Sequence, residues 1–347
     1  MTSLVERLCA ELGAGGIVLS EPSEVAAYTT DWTKKFSGNA PCILRPHDTN
    51  EVSMCVRACQ KLGLKLVPQG GNTGLVGASV PRGGEVVLSL TRLNKIEEFD
   101  AASATVLVGA GVVLQTLHED MAAHGYVFPV DLGARGSCQI GGMIATNAGG
   151  IKVLRYGHMR EQVLGLEVVL ADGRVLSNLN KLRKNNTGLD LKHLVVGSEG
   201  VLGIITRAVL QVRPRPQGLQ TALLALETRD RLPELLTILR DRLRGLSSLE
   251  MITRDSIALY KEVRPEARLP FKLSYPACVI VEEETGAGGG ERDAFLERIS
   301  VVLELGLAVD AVVAESEAQA ESIWSLRDGV TEAISRAGLT HKFDVTV

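Results

Sequence analysis

The stretch Pro68-Gln69-Gly70-Gly71-Asn72-Thr73-Gly74-Leu75-Val76-Gly77 decides the fold, because it places four glycines directly after a predicted strand, Lys65–Val67. Glycine lacks a Cβ, so it adopts positive φ values and lets a ligand touch the main chain. Consecutive glycines also turn successive N–H groups toward one point, and such a concavity binds an anion such as a pyrophosphate. The stretch therefore predicts a phosphate-binding loop at the end of a strand.

Two further glycine clusters lie downstream of this one. The first runs from Gly133-Ala134-Arg135-Gly136-Ser137-Cys138-Gln139-Ile140-Gly141-Gly142 into Thr146-Asn147-Ala148-Gly149-Gly150. The other is Gly197-Ser198-Glu199-Gly200-Val201-Leu202-Gly203-Ile204-Ile205. A single cluster would be explained equally well by tight turns. Three clusters, each with Ser, Thr or Asn side chains that add hydrogen bonds, favour a dinucleotide ligand.

One glycine pair looks like a nucleotide motif but lacks its full pattern. Val108-Gly109-Ala110-Gly111 resembles the opening of a Rossmann fingerprint, yet the third glycine would have to stand at position 114, which is Leu114. We interpret it as a plain strand-to-helix turn. The chain also has no Gly-x-x-x-x-Gly-Lys-Ser/Thr loop, which disfavours an ATPase.

Composition excludes several other classes of function. The 347 residues are 45% hydrophobic and 22% charged with a net charge of −4, which is typical of a globular protein of two domains. No basic stripe with interleaved aromatics is present, so we expect no nucleic-acid partner. The apolar stretches are too short to span a bilayer, so we expect no transmembrane segment and a soluble, cytoplasmic protein.

The six cysteines include no Cys-x-x-Cys pair, and a reducing compartment fits them best. Cys55 and Cys59 share one face of a predicted helix. We interpret them as small buried side chains, with a metal or redox pair as the alternative.

The order of predicted elements indicates an α+β fold in two main parts. Residues 1–35 are predicted to be a helical lead-in, residues 36–216 a domain that carries the glycine clusters, and residues 217–347 a smaller, helix-backed antiparallel-sheet domain. Within the middle part, Leu194–Val196 is predicted to be a strand, and Asp172-Gly173 to form a type I′ hairpin turn. The chain stops inside a predicted strand, Lys342–Val347, so we expect a C-terminal segment to be missing.

At this point the residues resemble a known family. The segment 68–74, the stretch 131–150 and the stretch 184–205 are similar to the loops of the vanillyl-alcohol oxidase / p-cresol methylhydroxylase flavoprotein superfamily. The similarity is greatest to the branch with D-2-hydroxyglutarate dehydrogenase, FAD-linked D-lactate dehydrogenase and the glycolate oxidase flavin subunits. It runs from about residue 31 to 347, and it implies that residues 36–216 form a two-part FAD-binding domain and residues 217–347 a substrate (cap) domain.

The resemblance also assigns cofactor-binding residues. It implies that the FAD pyrophosphate is held by Gly70, Gly71, Asn72, Thr73 and Gly74. It implies that the isoalloxazine and ribityl region is lined by Gly136, Ser137, Gly141, Gly142, Asn147 and Gly149. Glu199, Gly200 and Ile204 would contact the other side and the edge of the cofactor. None of the six histidines lies in these loops, so we expect FAD to be bound non-covalently.

Substrate residues follow from the resemblance as well. Arg327 and Thr331 are four residues apart on a predicted helix and so share a face, although such a pair is usually solvated surface when taken alone. In the related branch an Arg-x-x-x-Thr helix and a following lysine bind substrate carboxylates, which implies this role for Arg327, Thr331 and Lys342. The family's His-rich segments, which supply a divalent metal such as zinc and the catalytic base, are not in this sequence. We therefore assign no catalytic residue and no metal ligand.

The activity implied is oxidation of a small D-2-hydroxy acid, similar to D-2-hydroxyglutarate, to the 2-oxo acid by hydride transfer from C2 to flavin N5. Electrons would pass to an acceptor such as an electron-transfer flavoprotein or a quinone, and a homodimer is the expected assembly. Two alternatives stay open: a catalytically silent FAD-binding subunit of a larger oxidase complex, or a D-lactate or glycolate dehydrogenase.

Overall fold

The computed structural model describes residues 3–13, 16–270, 275–286, 290–338 and 340. The chain forms two compact units, of which the first comprises Met1–Gly150 and Gly157–Arg215 and the second comprises Ile151–Tyr156 and Pro216–Val347. The six residues between Gly150 and Gly157 therefore belong to the second unit, which no sequence pattern indicated.

The first sheet of the first unit is mostly parallel and has the strand order β1-β2-β4-β3. Asp48 caps the α3 helix that precedes β3, because its side chain accepts a hydrogen bond from the main-chain nitrogen of Glu51 at 2.8 Å. The elements of this part are α1 Leu4–Leu12, β1 Val18–Leu19, α2 Pro22–Ala26, β2 Ile43–Leu44, α3 Thr49–Lys61, β3 Leu66–Gln69 and β4 Val86–Ser89.

The second sheet of the first unit is antiparallel and has the strand order β5-β6-β10-β8-β9. The short α5 helix packs against it through Ile140 and Ile144, both fully buried. The elements are β5 Ile96–Asp100, β6 Thr105–Gly109, α4 Leu114–Ala123, β7 Tyr126–Val127, α5 Ile140–Ala145, α7 Met159–Gln162, β8 Val163–Val169, β9 Val175–Asn178, α8 Lys192–Val195, β10 Ile204–Gln211 and β11 Arg213–Pro214, in which β7 pairs with β11.

The second unit is one antiparallel sheet, with the order β13-β14-β12-β15 and helices on both faces. Val279 and Val281 of β14 face the core beneath α9 and α11, whereas Cys278 and Ile280 face the core beneath α10 and α12. The elements are α6 Val153–Tyr156, β12 Gly218–Leu226, α9 Leu232–Arg242, β13 Leu246–Thr253, α10 Arg254–Val263, β14 Ala277–Thr285, α11 Glu291–Glu304, β15 Asp310–Val313 and α12 Glu317–Arg336.

The predicted α+β class is confirmed, but two local predictions are wrong. Leu194–Val196 is not a strand, because Lys192–Val195 forms a helical turn closed by Val196 N donating to Lys192 O at 2.9 Å. A short apolar run cannot distinguish a strand from a helical turn. The Asp172-Gly173 hairpin exists, but its turn is not type I′, since only Gly173 has a positive φ (78°) and that type needs two such residues.

The core of the second unit offers a stability test. Phe295 of α11 is fully buried against the sheet. We expect Phe295→Ala to lower the free energy of unfolding by about 3–5 kcal/mol, because it removes a ring and leaves a cavity. Urea unfolding followed by circular dichroism measures this. Leu296→Ala, at a neighbouring side chain that is 36% exposed, is the control and should cost much less; equal losses would contradict the packing described.

Within the described part of the chain, no helix combines the length and the apolar character needed to cross a bilayer.

Candidate functional site

Three glycine-rich loops meet in the first unit. The first loop (residues 70–77) follows β3, the second loop (residues 133–139) leads into α5, and the third loop (residues 197–203) follows α8. A Cβ built on Gly71 would lie 2.0 Å from the carbonyl oxygen of Ser137. A Cβ on Gly70 would lie 3.5 Å from Gln139 Oε1 and 3.7 Å from Gly142 N. The first loop therefore packs main chain against main chain on the second.

The third loop joins the same assembly through α5 and β3. Gly197 N donates to Ile144 O at 3.1 Å, and Glu199 N donates to Ala145 O at 2.8 Å. Gly200 has a φ of 82°, and a Cβ there would lie 3.0 Å from Pro68 Cγ, directly before the first loop. The three loops, of which the first and third are more than a hundred residues apart in the sequence, thus lie close together.

Three non-glycine residues in or near these loops adopt left-handed backbone conformations: Asn72 (φ 53°) in the first loop, Glu199 (φ 53°) in the third, and Asn147 (φ 50°) just after α5. The side chains of both asparagines are used inside the protein. Asn72 Nδ2 donates to Thr30 O at 2.9 Å, and Asn147 Oδ1 accepts from Arg160 N at 2.9 Å. These two side chains therefore shape the loops, and any contact to a cofactor would come from their main chain.

The assembly leaves both space and polar atoms for a ligand. Nothing lies within 4 Å of a Cβ built on Gly74, Gly136 or Gly142. Gln139 Oε1 and Ser198 Oγ are buried and accept or donate no hydrogen bond within the residues that the structure describes. Because buried polar atoms are normally paired, these two fit a site completed by a bound group.

A cleft of about 280 Å³ opens between β3 and the third loop. Its lining comes from α3, β3, the end of β8 and the third loop, and it is mostly apolar. The lining residues are Val56, Cys59, Gln60, Leu64, Leu66, Pro68, Val169, Leu170, Ala171, Gly200, Val201, Gly203 and Ile204. An apolar cleft next to main-chain amides suits a ligand with a flat ring and a phosphate group.

The remaining predicted cofactor residues have distinct places. Gly141 packs tightly, since a Cβ there would lie 2.7 Å from Ala110 Cβ, while Gly149 lies exposed in the loop after α5. Ile204 begins β10 and is 8% exposed. The carbonyl of Thr73 accepts a hydrogen bond from Trp32 Nε1 at 2.9 Å. Direct contact of each with the cofactor stays a prediction.

Trp32 is a residue that sequence reasoning missed, because 41 positions separate it from Thr73. We expect Trp32→Phe to weaken FAD binding about 3- to 10-fold. The variant keeps an aromatic ring but removes the hydrogen bond to the first loop, a loss of about 1 kcal/mol. Calorimetric titration of the apo-protein with FAD measures this. Trp324→Phe, in the second unit, is the control; unchanged affinity in Trp32→Phe would show that this bond does not shape the loop.

Two other glycines and a cysteine pair serve packing. Cβ atoms on Gly109 and Gly111 would lie 2.1 Å from Leu93 O and 2.0 Å from Leu90 O, as the turn interpretation requires. Cys55 and Cys59 are buried, and burial raises the pKa of each thiol to about 12. Both stay protonated, and in the described parts of the chain no group of three His, Cys, Asp or Glu side chains could hold a metal.

The predicted substrate residues lie in the second unit. Arg327 and Thr331 are on α12, and Arg327 Nε donates to Glu250 Oε2 at 3.1 Å. The main-chain carbonyl of Thr331 accepts from Ser335 Oγ at 2.9 Å. Lys342 lies outside the described residues. Arg327 therefore stands on α12 with two of its three nitrogens already paired, Nε with Glu250 and Nη1 with Asp328 at 3.4 Å.

Comparison with known proteins agrees with this geometry. Residues 40–178 match the family described as "FAD binding domain". The structure resembles p-cresol methylhydroxylase with substrate bound (TM-score 0.74, 16% identity, 93% of this chain and 68% of that one). It also resembles alkyldihydroxyacetonephosphate synthase (TM-score 0.74, 18% identity, 94% and 63%). The chain therefore has the p-cresol methylhydroxylase type of fold, and residues 40–178 belong to an FAD-binding domain.

Relatives in sequence show which family of FAD-binding proteins the chain belongs to. D-2-hydroxyglutarate dehydrogenase of Xanthomonas citri pv. viticola is 41% identical over 94% of this chain and 68% of its own length. Mitochondrial D-2-hydroxyglutarate dehydrogenase of Bos taurus is 39% identical over 96% and 61%. A putative mitochondrial D-lactate dehydrogenase of Schizosaccharomyces pombe is 38% identical over 94% and 62%. The chain belongs to the family of FAD-dependent dehydrogenases that contains these enzymes.

The chain is shorter than these relatives. The chain spans about three fifths of the length of several of these curated relatives, for example 61% of the bovine and 62% of the fission-yeast protein.

Proposed function

We propose that this chain is the flavin-carrying part of a dehydrogenase that oxidises a D-2-hydroxy acid, of the D-2-hydroxyglutarate kind, to the 2-oxo acid. The observation that carries the proposal is the closure of the three loops, in which Gly71 abuts Ser137 and Gly200 abuts Pro68 around open glycine positions. The names of the sequence relatives support the substrate class.

Main-chain groups of the first unit would hold the cofactor. The amides of Gly70 to Gly74 in the first loop would hold the diphosphate through the partial positive charge of their N–H groups. The unpaired Gln139 Oε1 and Ser198 Oγ would form hydrogen bonds with other parts of FAD. When bound, FAD would supply the redox chemistry by accepting a hydride, which is a proton with two electrons, from C2 of the substrate.

Side chains of the second unit would hold the substrate. The planar guanidinium of Arg327 matches a carboxylate in a bidentate pair, and the hydroxyl of Thr331 adds a donor one turn away. Lys342 would meet a second carboxylate. A basic group must also take the alcohol proton as the C2–H bond breaks, and we assign it to no residue of this chain.

Partners and setting belong to the same proposal. We propose non-covalent FAD, an electron acceptor such as an electron-transfer flavoprotein or a quinone, a homodimer, and a cytoplasmic location, although several relatives are named mitochondrial. The flavin attachment is checked directly: protein precipitated with acid should release all its yellow colour, and colour left in the pellet would refute non-covalent binding.

The activity is tested by anaerobic titration of the FAD-loaded protein with D- and L-2-hydroxy acids while the visible flavin absorbance is followed. We expect bleaching with D-2-hydroxyglutarate and little with its L enantiomer. Bleaching with D-lactate or glycolate alone would change the substrate. An FAD-loaded protein that no 2-hydroxy acid bleaches would refute the dehydrogenase and favour a silent flavin-binding subunit.

A further inference from the structure

Arg327 is held by a helix whose position on the sheet is fixed. Ile323 and Leu326, the residues before it on α12, are 4% and 2% exposed and pack on the sheet core beneath α10 and α12. Trp324, one turn before Arg327, donates from Nε1 to Glu282 Oε2 of β14 at 3.0 Å. The backbone of Arg327 is therefore anchored, and only its long side chain needs a further partner to become fixed.

That partner is Glu250 of β13. Glu250 lies opposite Ile280 of β14, and its neighbour but one, Ile252, packs in the same core as Leu326. Alternate residues of a strand share a face, so Glu250 lies on the face of the sheet that α12 covers. Glu250 and Arg327 are each about one third exposed, with side-chain exposures of 29% and 32%. The pair is thus reachable by a ligand yet partly withdrawn from water.

The atoms used by this pair decide its consequence. A guanidinium has five N–H donors in one plane, and its two terminal nitrogens form one edge while Nε lies on another. Glu250 Oε2 accepts from Nε at 3.1 Å, and Asp328 Oδ1 lies 3.4 Å from Nη1. Nη2 donates no hydrogen bond to the residues that the structure describes. Nη1 donates one of its two hydrogens to Asp328, so the terminal edge keeps Nη2 and the other Nη1 hydrogen for a carboxylate ligand.

We infer that Glu250 is a positioning residue, which fixes the plane of the Arg327 guanidinium through Nε so that its terminal edge receives the substrate carboxylate. This inference rests on the proposed function for its substrate but not for the Glu250–Arg327 contact itself. A carboxylate that merely competed with the substrate would occupy the terminal edge. Because Glu250 uses Nε, it and a substrate carboxylate can bind Arg327 together.

The chain offers a matched set of variants. Glu250→Gln keeps an amide oxygen that accepts from Nε–H, whereas Glu250→Ala removes the acceptor. Arg327→Lys removes Nε–H altogether. Glu332→Gln makes the same change of charge on α12, but its carboxylate pairs with Arg264 and Arg336 instead. Melting temperature and FAD affinity show whether each variant is folded.

The steady-state test uses the FAD-loaded full chain with D-2-hydroxyglutarate. We expect Glu250→Ala to raise KM about 10-fold, Glu250→Gln to raise it no more than about 3-fold, and kcat to change about 2-fold or less in both. Glu332→Gln should match the wild type. In the Arg327→Lys background, Glu250→Ala should have no further effect. A lower KM in both Glu250 variants would show a competing carboxylate, and unchanged KM in both would show no role; either result overturns the inference.

A second measurement needs no turnover. The ¹⁵Nε–¹Hε signal of Arg327, identified by its loss in Arg327→Lys, should shift or broaden in Glu250→Ala and persist in Glu250→Gln and Glu332→Gln. A wild-type protein that oxidises no 2-hydroxy acid refutes the proposed function, whereas an Arg327 signal indifferent to Glu250→Ala refutes this inference. The two failures are therefore separate.

Discussion

Gly71→Ala should abolish tight FAD binding. The added Cβ would lie 2.0 Å from the Ser137 carbonyl oxygen and 2.9 Å from its carbonyl carbon, so the first and second loops must move apart. Both atoms are main chain, which cannot rotate away as a flexible side chain does. Overpacking of this kind costs about 1–3 kcal/mol, and we expect FAD affinity to fall roughly 100-fold, which corresponds to about 2.7 kcal/mol. Calorimetric titration of the apo-protein measures it.

Gly133→Ala is the control for this prediction. Gly133 stands in the second loop, outside the residues assigned to the cofactor, and nothing lies within 4 Å of a Cβ built there. We expect its affinity for FAD and its melting temperature to stay near those of the wild type. Tight FAD binding by Gly71→Ala would mean that the cofactor site does not depend on contact between the first and second loops.

Arg327→Ala should lower kcat/KM for a D-2-hydroxy acid about 100-fold or more. A bidentate pair provides two charge-assisted hydrogen bonds of about 1.5–3 kcal/mol each, and both are lost. The substitution also leaves the Glu250 carboxylate without its counter-ion, and this uncompensated negative charge would repel an anionic substrate. The rate of flavin reduction under anaerobic conditions at several substrate concentrations measures the effect.

Arg264→Ala is the matched control, because Arg264 also pairs with a glutamate of the second unit, Glu332, and is 49% exposed. Such surface pairs contribute about 0–1 kcal/mol, so we expect little change in stability and none in kcat/KM. FAD affinity should be unaltered in both variants, since the cofactor loops belong to the first unit. Full activity in Arg327→Ala would remove this arginine from the substrate site.

The cofactor loops could be predicted because their chemistry is local. Gly70 and Gly71 stand next to each other after a strand, and only glycine fits at position 71, because a Cβ there would lie 2.0 Å from Ser137 O. The chemistry of Asn72 was only partly local. Its left-handed backbone suits asparagine, but its side-chain bond to Thr30 spans 42 residues and leaves no trace in the sequence.

The errors and omissions have the same physical origin. The helical turn at Lys192–Val195 is set by one hydrogen bond, which a three-residue apolar pattern cannot reveal. Leu170 N donates to Arg174 O at 2.9 Å and closes a three-residue loop, one residue longer than the shortest hairpin loop, and Asp-Gly fits both loop lengths. The partner of Arg327 depends on the register of β13 against β14, which no pattern within either strand determines.

The second unit depends on six residues from an earlier part of the chain, Ile151–Tyr156. Glu284 of β14, 8% exposed, is bound by Lys152 Nζ at 2.9 Å, by Arg155 Nε at 3.0 Å and by the hydroxyl of Tyr156. A fragment beginning at residue 216 would keep the whole sheet, but the Glu284 carboxylate would lose its counter-ions. Autonomous expression of the C-terminal portion should therefore yield insoluble protein, and grafting it onto another flavoprotein would have to carry the hexapeptide along.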